Sequence, residues 1–103
     1  MGRQDAAGDS ARVQLTRAAA RDLDRLPALT REQVLADIRS LERAPLAAPP
    51  RIKRLKGFGF ALYRLRSGHH RVLYRLDGQV VTVMRVIDRK DLYRQLRRLW
   101  DSR

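Results

Sequence analysis

An α+β fold is predicted for this chain: an N-terminal strand and a helical hairpin packed on a twisted, mainly antiparallel sheet, closed by a short C-terminal helix. Three observations predict it. Apolar residues recur at three- and four-residue spacing through the first half of the sequence. From residue 51 onward that period changes to two. Two dipeptides suited to tight turns, Ser67-Gly68 and Asp77-Gly78, then separate the strand-like runs.

The elements follow in order. RVQL, residues 12–15, is a short strand candidate. Thr16 can cap a helix over 17–26, with Ala19, Leu23 and Leu26 on one face, and Pro27 stops it. Thr30 and Gln33 have capping-box spacing, and Leu29 and Val34 stand where a hydrophobic staple would form. The second helix should therefore run from there to about residue 43, burying Val34, Leu35, Ile38 and Leu41. APLAAPP (44–50) is a connector that cannot continue a helix. RIKRLK is a weaker strand, and GFG (57–59) is a loop without the spacing of a phosphate-binding motif. FALYRLR, HRVLYRL and QVVTVMRVI are the stronger strands, and KDLYRQLRRLW carries Leu92, Leu96 and Leu99 at helical spacing.

At 103 residues the chain fits one domain, here 12–103 after a flexible start over 1–11. With no cysteine there is no disulfide frame and no thiolate chemistry. No apolar run approaches the roughly 20 residues of a membrane span, and the first residues lack a signal-peptide core, so a cytoplasmic protein without a membrane partner is expected. Charge is the informative quantity. The net is +12, from 23 basic and 11 acidic residues, and 20 of the 23 cations are arginine. Residues 51–103 alone hold 15 basic and 4 acidic residues, a net of +11, together with all six aromatics. That asymmetry predicts a polyanionic partner, nucleic acid before any other.

The hairpins set where these cations meet. With Asp77-Gly78 as the turn, Tyr74 pairs with Val81 and Val72 with Val83 on an apolar face; Arg71 pairs with Met84 on the other. With Ser67-Gly68 as the turn, Arg64 faces Arg71; with Gly68-His69, Arg66 faces Arg71. Either way guanidinium groups are opposed on the face away from the core, where they repel unless an anion such as a phosphate lies between them. His69 shares the Arg71 face and His70 the core face. Adjacent histidines pointing to opposite sides of a strand do not make a metal site, and no cofactor is expected.

These residues resemble the RelE/ParE superfamily of bacterial toxins. The carriers are LTRAAARDLDRLP, RLKG and YRLRSGHHRVLYRLDGQVVTVMRVIDRKDLYR, spanning roughly 12–94, and the closing RVIDRKDLYR looks like the RelE branch. The resemblance implies a ribosome-dependent endoribonuclease that cleaves mRNA in the A site by 2′-hydroxyl attack, and a cognate antitoxin that blocks it. Carried over by position, the catalytic set is Arg64, Arg71, Arg89 and Tyr93. Lys53, Arg54, Lys56, Arg66, Arg85 and His69 are the further candidates for RNA contact, toward mRNA or rRNA. Leu62 stands where some members have a proton-transferring lysine. A gyrase-inhibiting ParE-like toxin and a non-catalytic RNA- or ribosome-binding module are the alternatives. Trp100 reads as core or partner interface, and Leu92, Leu96, Leu99 and Trp100 as candidate antitoxin contacts.

Overall fold

The computed structural model describes residues 10–46 and 49–101. Strand β1 (Arg12–Leu15) leads into helices α1 (Arg17–Asp24) and α2 (Ala28–Arg39), the latter extended by a 3-10 turn over Ser40–Glu42. Strands β2 (Ile52–Leu55), β3 (Leu62–Ser67), β4 (His70–Asp77) and β5 (Val80–Asp88) follow. A second 3-10 turn, Arg89–Asp91, precedes helix α3 (Leu92–Asp101). The sheet runs β1-β5-β4-β3-β2. β1 lies parallel to β5, and every other pairing is antiparallel. The expected flexible start lies mostly outside the described residues; Ala11 itself donates its N–H to the Glu42 carbonyl.

One face of the sheet carries the core. Ala19 and Leu23 of α1, with Val34, Ile38 and Leu41 of α2 and its extension, pack on Ile52, Leu65, Val72, Tyr74, Val81, Val83 and Val86. Thr16 caps α1 by accepting from the Ala19 N–H at 3.1 Å, while its hydroxyl donates to the Met84 carbonyl at 2.9 Å. One side chain thus starts a helix and satisfies a carbonyl of β5 just past the end of β1.

Three local expectations are corrected. α2 starts at Ala28, with Pro27 in the capping position and no side-chain cap, so the Thr30–Gln33 box does not form. Proline has no N–H to satisfy and its fixed φ suits the first turn, which lets Ala28 and Leu29 join the helix. Leu29 is then 81% exposed and cannot staple to buried Val34. The β4–β5 hairpin also turns one residue later than Asp77-Gly78 would place it, and the β3–β4 hairpin takes the Gly68-His69 alternative rather than Ser67-Gly68. Ser67 pairs with His70 and Asp77 with Val80, leaving Gly68-His69 and Gly78-Gln79 in the turns. Gly68 and Gly78 have φ of 59° and 60°, and no described non-glycine residue has positive φ. Glycine in the first turn position alone is the type II′ pattern, whereas a type I′ turn would have required positive φ at the residue after it as well.

The third correction is the β4–β5 register. Tyr74 pairs with Val83 and Val72 with Val86, while Arg71 faces Ile87, not Met84. A bulge between Leu73 and Tyr74 leaves Met84 without a partner across the ladder. An extra residue shifts alternation by one, which is why Val83 and Val86, three apart, both reach the core.

Tyr74 is buried, stacks on Tyr63 at 5.4 Å between ring centroids, and donates its hydroxyl to the Pro45 carbonyl. Burial, and then the neighbouring Tyr63, push its phenol above the ordinary tyrosine range. Because the folded value is raised, the unfolded chain loses the proton first. Stability from this group is present below about pH 10 and declines as pH rises above it. Tyr74→Phe should therefore flatten the alkaline limb of a thermal-melting profile, at the cost of the hydrogen bond. An unchanged slope above pH 10 would reject the assignment.

Candidate nucleic-acid interface

The sheet face opposite the helical hairpin gathers the cations in rows fixed by strand pairing. Lys53, Arg64, Leu73 and Arg85 form one row, and Arg66, Arg71 and Ile87 the next. Leu55, Leu62, Arg75 and Thr82 form a third. Leu62, Leu73 and Ile87 are buried beneath this otherwise charged surface. Of the two pairings open to the β3–β4 hairpin, Arg66 opposite Arg71 is the one that forms. Cations directly across a ladder are unfavourable on their own.

Arg89 joins them through the backbone. Its N–H donates to the His69 carbonyl at 2.9 Å, so the turn after β5 is pinned to the β3–β4 turn. Burial, then the charges of Arg66 and Arg89, push the Arg71 guanidinium below its ordinary range, with Asp88 opposing. Burial, then Arg66 and Arg71, act the same way on Arg64. Arg66 and Arg71 thus bear on Arg64, and Arg66 and Arg89 bear on Arg71, and an oxyanion among these cations would relieve the repulsion. Arg71 is 8% exposed and is oriented by its Nη1, which donates to the carbonyls of Gly68 at 3.0 Å and His70 at 2.9 Å. Arg64 is oriented by donation to the Pro50 carbonyl at 3.0 Å. Asp88, whose charge opposes the shift at Arg71, caps the following turn by accepting from the Lys90 N–H at 2.9 Å. That bond first, then the nearby charges of Lys90 and Arg89, outweigh desolvation and hold its carboxyl below the usual range.

The other sequence-predicted residues are placed differently. Lys53, Arg54 and Lys56 are exposed on and just after β2, but Arg54 pairs with Tyr63 and so belongs to the opposite side of the sheet. His69 is an exposed turn residue and not a strand residue beside Arg71. Arg85 is engaged by Asp22 through two contacts of 2.7 and 3.0 Å, and its Nη1 donates to Gln95 at 3.1 Å. Tyr93 is 84% exposed on α3, a helix with no fully buried residue, and stands in a groove with Lys56, Phe58 and Trp100. Among the described residues no three His, Asp or Glu side chains converge as a metal site requires, and no helix is long and apolar enough to cross a membrane.

The sequence model described as the ParE toxin of type II toxin–antitoxin systems matches residues 13–93. The chain belongs to this toxin family. Solved structures agree with it across the same fold. The toxin is 30% identical to the toxin–antitoxin complex RelBE2 from Mycobacterium tuberculosis, with a TM-score of 0.67 over 77% of this chain and 98% of that one. It is 28% identical to the archaeal RelE–RelB complex from Pyrococcus horikoshii, with a TM-score of 0.66 over 78% and 96%. The isolated Escherichia coli RelE toxin shares the fold at 23% identity, with a TM-score of 0.62 over 87% and 99%. No curated protein matches the toxin.

Sequence reasoning missed Asp22 as a partner. The signal was present: an acid at position 22 lies inside the helical stripe formed by Ala19, Leu23 and Leu26, where an unpaired carboxylate would be costly. It also missed Gln95, which links α3 to that ion pair.

Proposed function

We propose that this toxin is a ribosome-dependent endoribonuclease acting in the cytoplasm, which cuts mRNA in the A site and so stops translation. The 2′-oxygen attacks the adjacent phosphorus, the P–O5′ bond breaks, and a 2′,3′-cyclic phosphate and a 5′-hydroxyl result. Arg64, Arg71 and Arg89 stabilise the charge that develops on the non-bridging oxygens, with Arg66 beside them. Tyr93 orients a proton in transit. The observation that carries this reading is Arg66 set directly opposite Arg71, with Arg64 feeling both charges and Arg89 acting on Arg71. A cognate antitoxin of complementary acidity covers this face or displaces α3, as fits a member of a toxin–antitoxin family. Lys53 and Lys56 extend the cationic surface toward rRNA.

Primer extension on an mRNA under translation in a purified system tests the proposal, using wild type, Arg89→Ala and Tyr93→Ala. Wild type should cut in register with the stalled codon and only when ribosomes are present. Each variant should cut at least roughly a hundredfold more slowly. Unreduced cutting by Tyr93→Ala would remove Tyr93 from the reaction.

A second reading is supported by the ParE description of the matching family and by buried Leu62, which offers no proton-transfer group. In that reading the toxin binds and inhibits gyrase. Intact mRNA, continued protein synthesis and gyrase-dependent DNA breaks under the same conditions would favour it over RNA cleavage.

A further inference from the structure

A groove of about 550 Å³ lies between α3 and the loop that follows β2, lined by Lys56, Phe58, Tyr93, Leu96, Arg97 and Trp100. Tyr93, Leu96, Arg97 and Trp100 fall at i, i+3, i+4 and i+7, so a single face of α3 builds one wall. Trp100 is seated against Gly57, where an added Cβ would stand 2.6 Å from Cζ3 of the indole. Gly57 also has φ of 96°, so both its space and its backbone require glycine. Phe58 meets the indole edge-on at 5.6 Å between centroids. The indole is thus fixed by neighbours and still 46% exposed. Both charged residues lining the groove are cations, and no acid lines it.

Fixed, partly exposed aromatic rings rimmed only by positive charge form a stacking platform within an electrostatic funnel. The volume suits one nucleoside-sized group. We infer that this groove binds a nucleobase of single-stranded RNA against Trp100, with the flanking phosphates on Lys56 and Arg97. The inference rests on the reading of this toxin as RNA-directed. It adds a base-holding position apart from the arginines that would stabilise the reacting phosphate. A protein segment would use the apolar walls, but the purely cationic rim and exposed ring favour a base with its phosphate.

Trp100 is the only tryptophan, so its fluorescence reports the site without any requirement for ribosomes or cleavage. Oligoadenylate hexamers should quench it saturably, whereas abasic ribose-phosphate hexamers of equal charge should not. By anisotropy of a labelled hexamer, Trp100→Ala should weaken binding roughly tenfold. The exposed double variant Lys56→Glu with Arg97→Glu should weaken it at least as much and lower its salt dependence. Equal binding of adenylate and abasic hexamers without quenching would overturn the inference, even if ribosomal cleavage is intact. So would quenching by an apolar peptide from the antitoxin but not by RNA, which would give the groove to a protein partner. Quenching by adenylate alongside absent mRNA cleavage would uphold the base site and reject the nuclease reading.

Discussion

Arg71→Ala is expected to slow mRNA cleavage by roughly 10²–10³-fold while leaving the toxin folded. The two halves of that expectation have separate causes. Catalytically, Arg71 is the cation opposed to Arg66 and coupled to Arg64 and Arg89, so its loss opens the centre of the clamp. Structurally, its Nη1 donates to the Gly68 and His70 carbonyls, hydrogen bonds that each contribute about 1 kcal/mol net. Removing a cation beside three others offsets part of that loss, so the melting temperature should fall by only a few degrees. Arg71→Lys keeps the charge but not the planar fork, and should recover the melting temperature better than the rate. Single-turnover primer extension and a thermal melt on the same preparations check both halves. Full cleavage by a folded Arg71→Ala protein would place the reacting phosphate elsewhere.

Asp22→Ala is expected to destabilise the fold by about 2–3 kcal/mol. Its carboxylate accepts from Nε of Arg85 at 2.7 Å, from Nη2 of Arg85 at 3.0 Å and from the Val86 N–H at 2.9 Å. Breaking a fully buried pair costs about 3–5 kcal/mol; here Arg85 keeps 29% of its side chain in water and can rehydrate, which lowers the figure. A chain of this size should lose roughly 10–20 °C in Tm. Asp22→Asn retains an acceptor for the Val86 N–H and should lose about half as much. Gln95, bonded to the same guanidinium, should become easier to release, so amide exchange in α3 should rise before the sheet melts. A Tm within 2 °C of wild type would show that the pair contributes nothing.

Element identity was legible in the sequence because local chemistry decided it. Thr16 before an apolar stripe starts α1, Pro27 ends it, and the change to a period of two marks the sheet. Boundaries failed where a rule competed with proline: the Thr30–Gln33 spacing is a valid capping signal, but Pro27 had already opened the helix upstream. Register was only partly legible. Gly68 and Gly78 each fit the second position of a type I′ turn or the first of a type II′ turn, and both types match the strand twist, so spacing alone does not choose between them. The bulge that drops Met84 from the ladder has no signal in VVTVMRVI, since its apolar residues suit either face. In the site, the clustering of Arg64, Arg66 and Arg71 follows from strand alternation alone. Arg89 lies past the strand, where alternation gives no direction, and only the backbone bond to His69 locates it. The partners of Arg85 and the seat of Trp100 are contacts between segments far apart in the chain, which local patterns do not carry.

The parallel pairing of β1 with β5 sets an order of events during synthesis. Arg12 pairs with Val80, 68 residues further along, so the sheet has no partner for its first strand until most of the chain exists. At 5–20 residues per second, that interval is roughly 3–14 s. For the first part of that time α1 and α2 have no sheet to pack on, because their core partners begin at Ile52 and end at Val86, and Arg71 and Arg89 are not juxtaposed before its end. The face that sets Arg71 beside Arg89 therefore assembles only when the chain is nearly finished, because the strand and turn that carry Arg89 are among the last to be made.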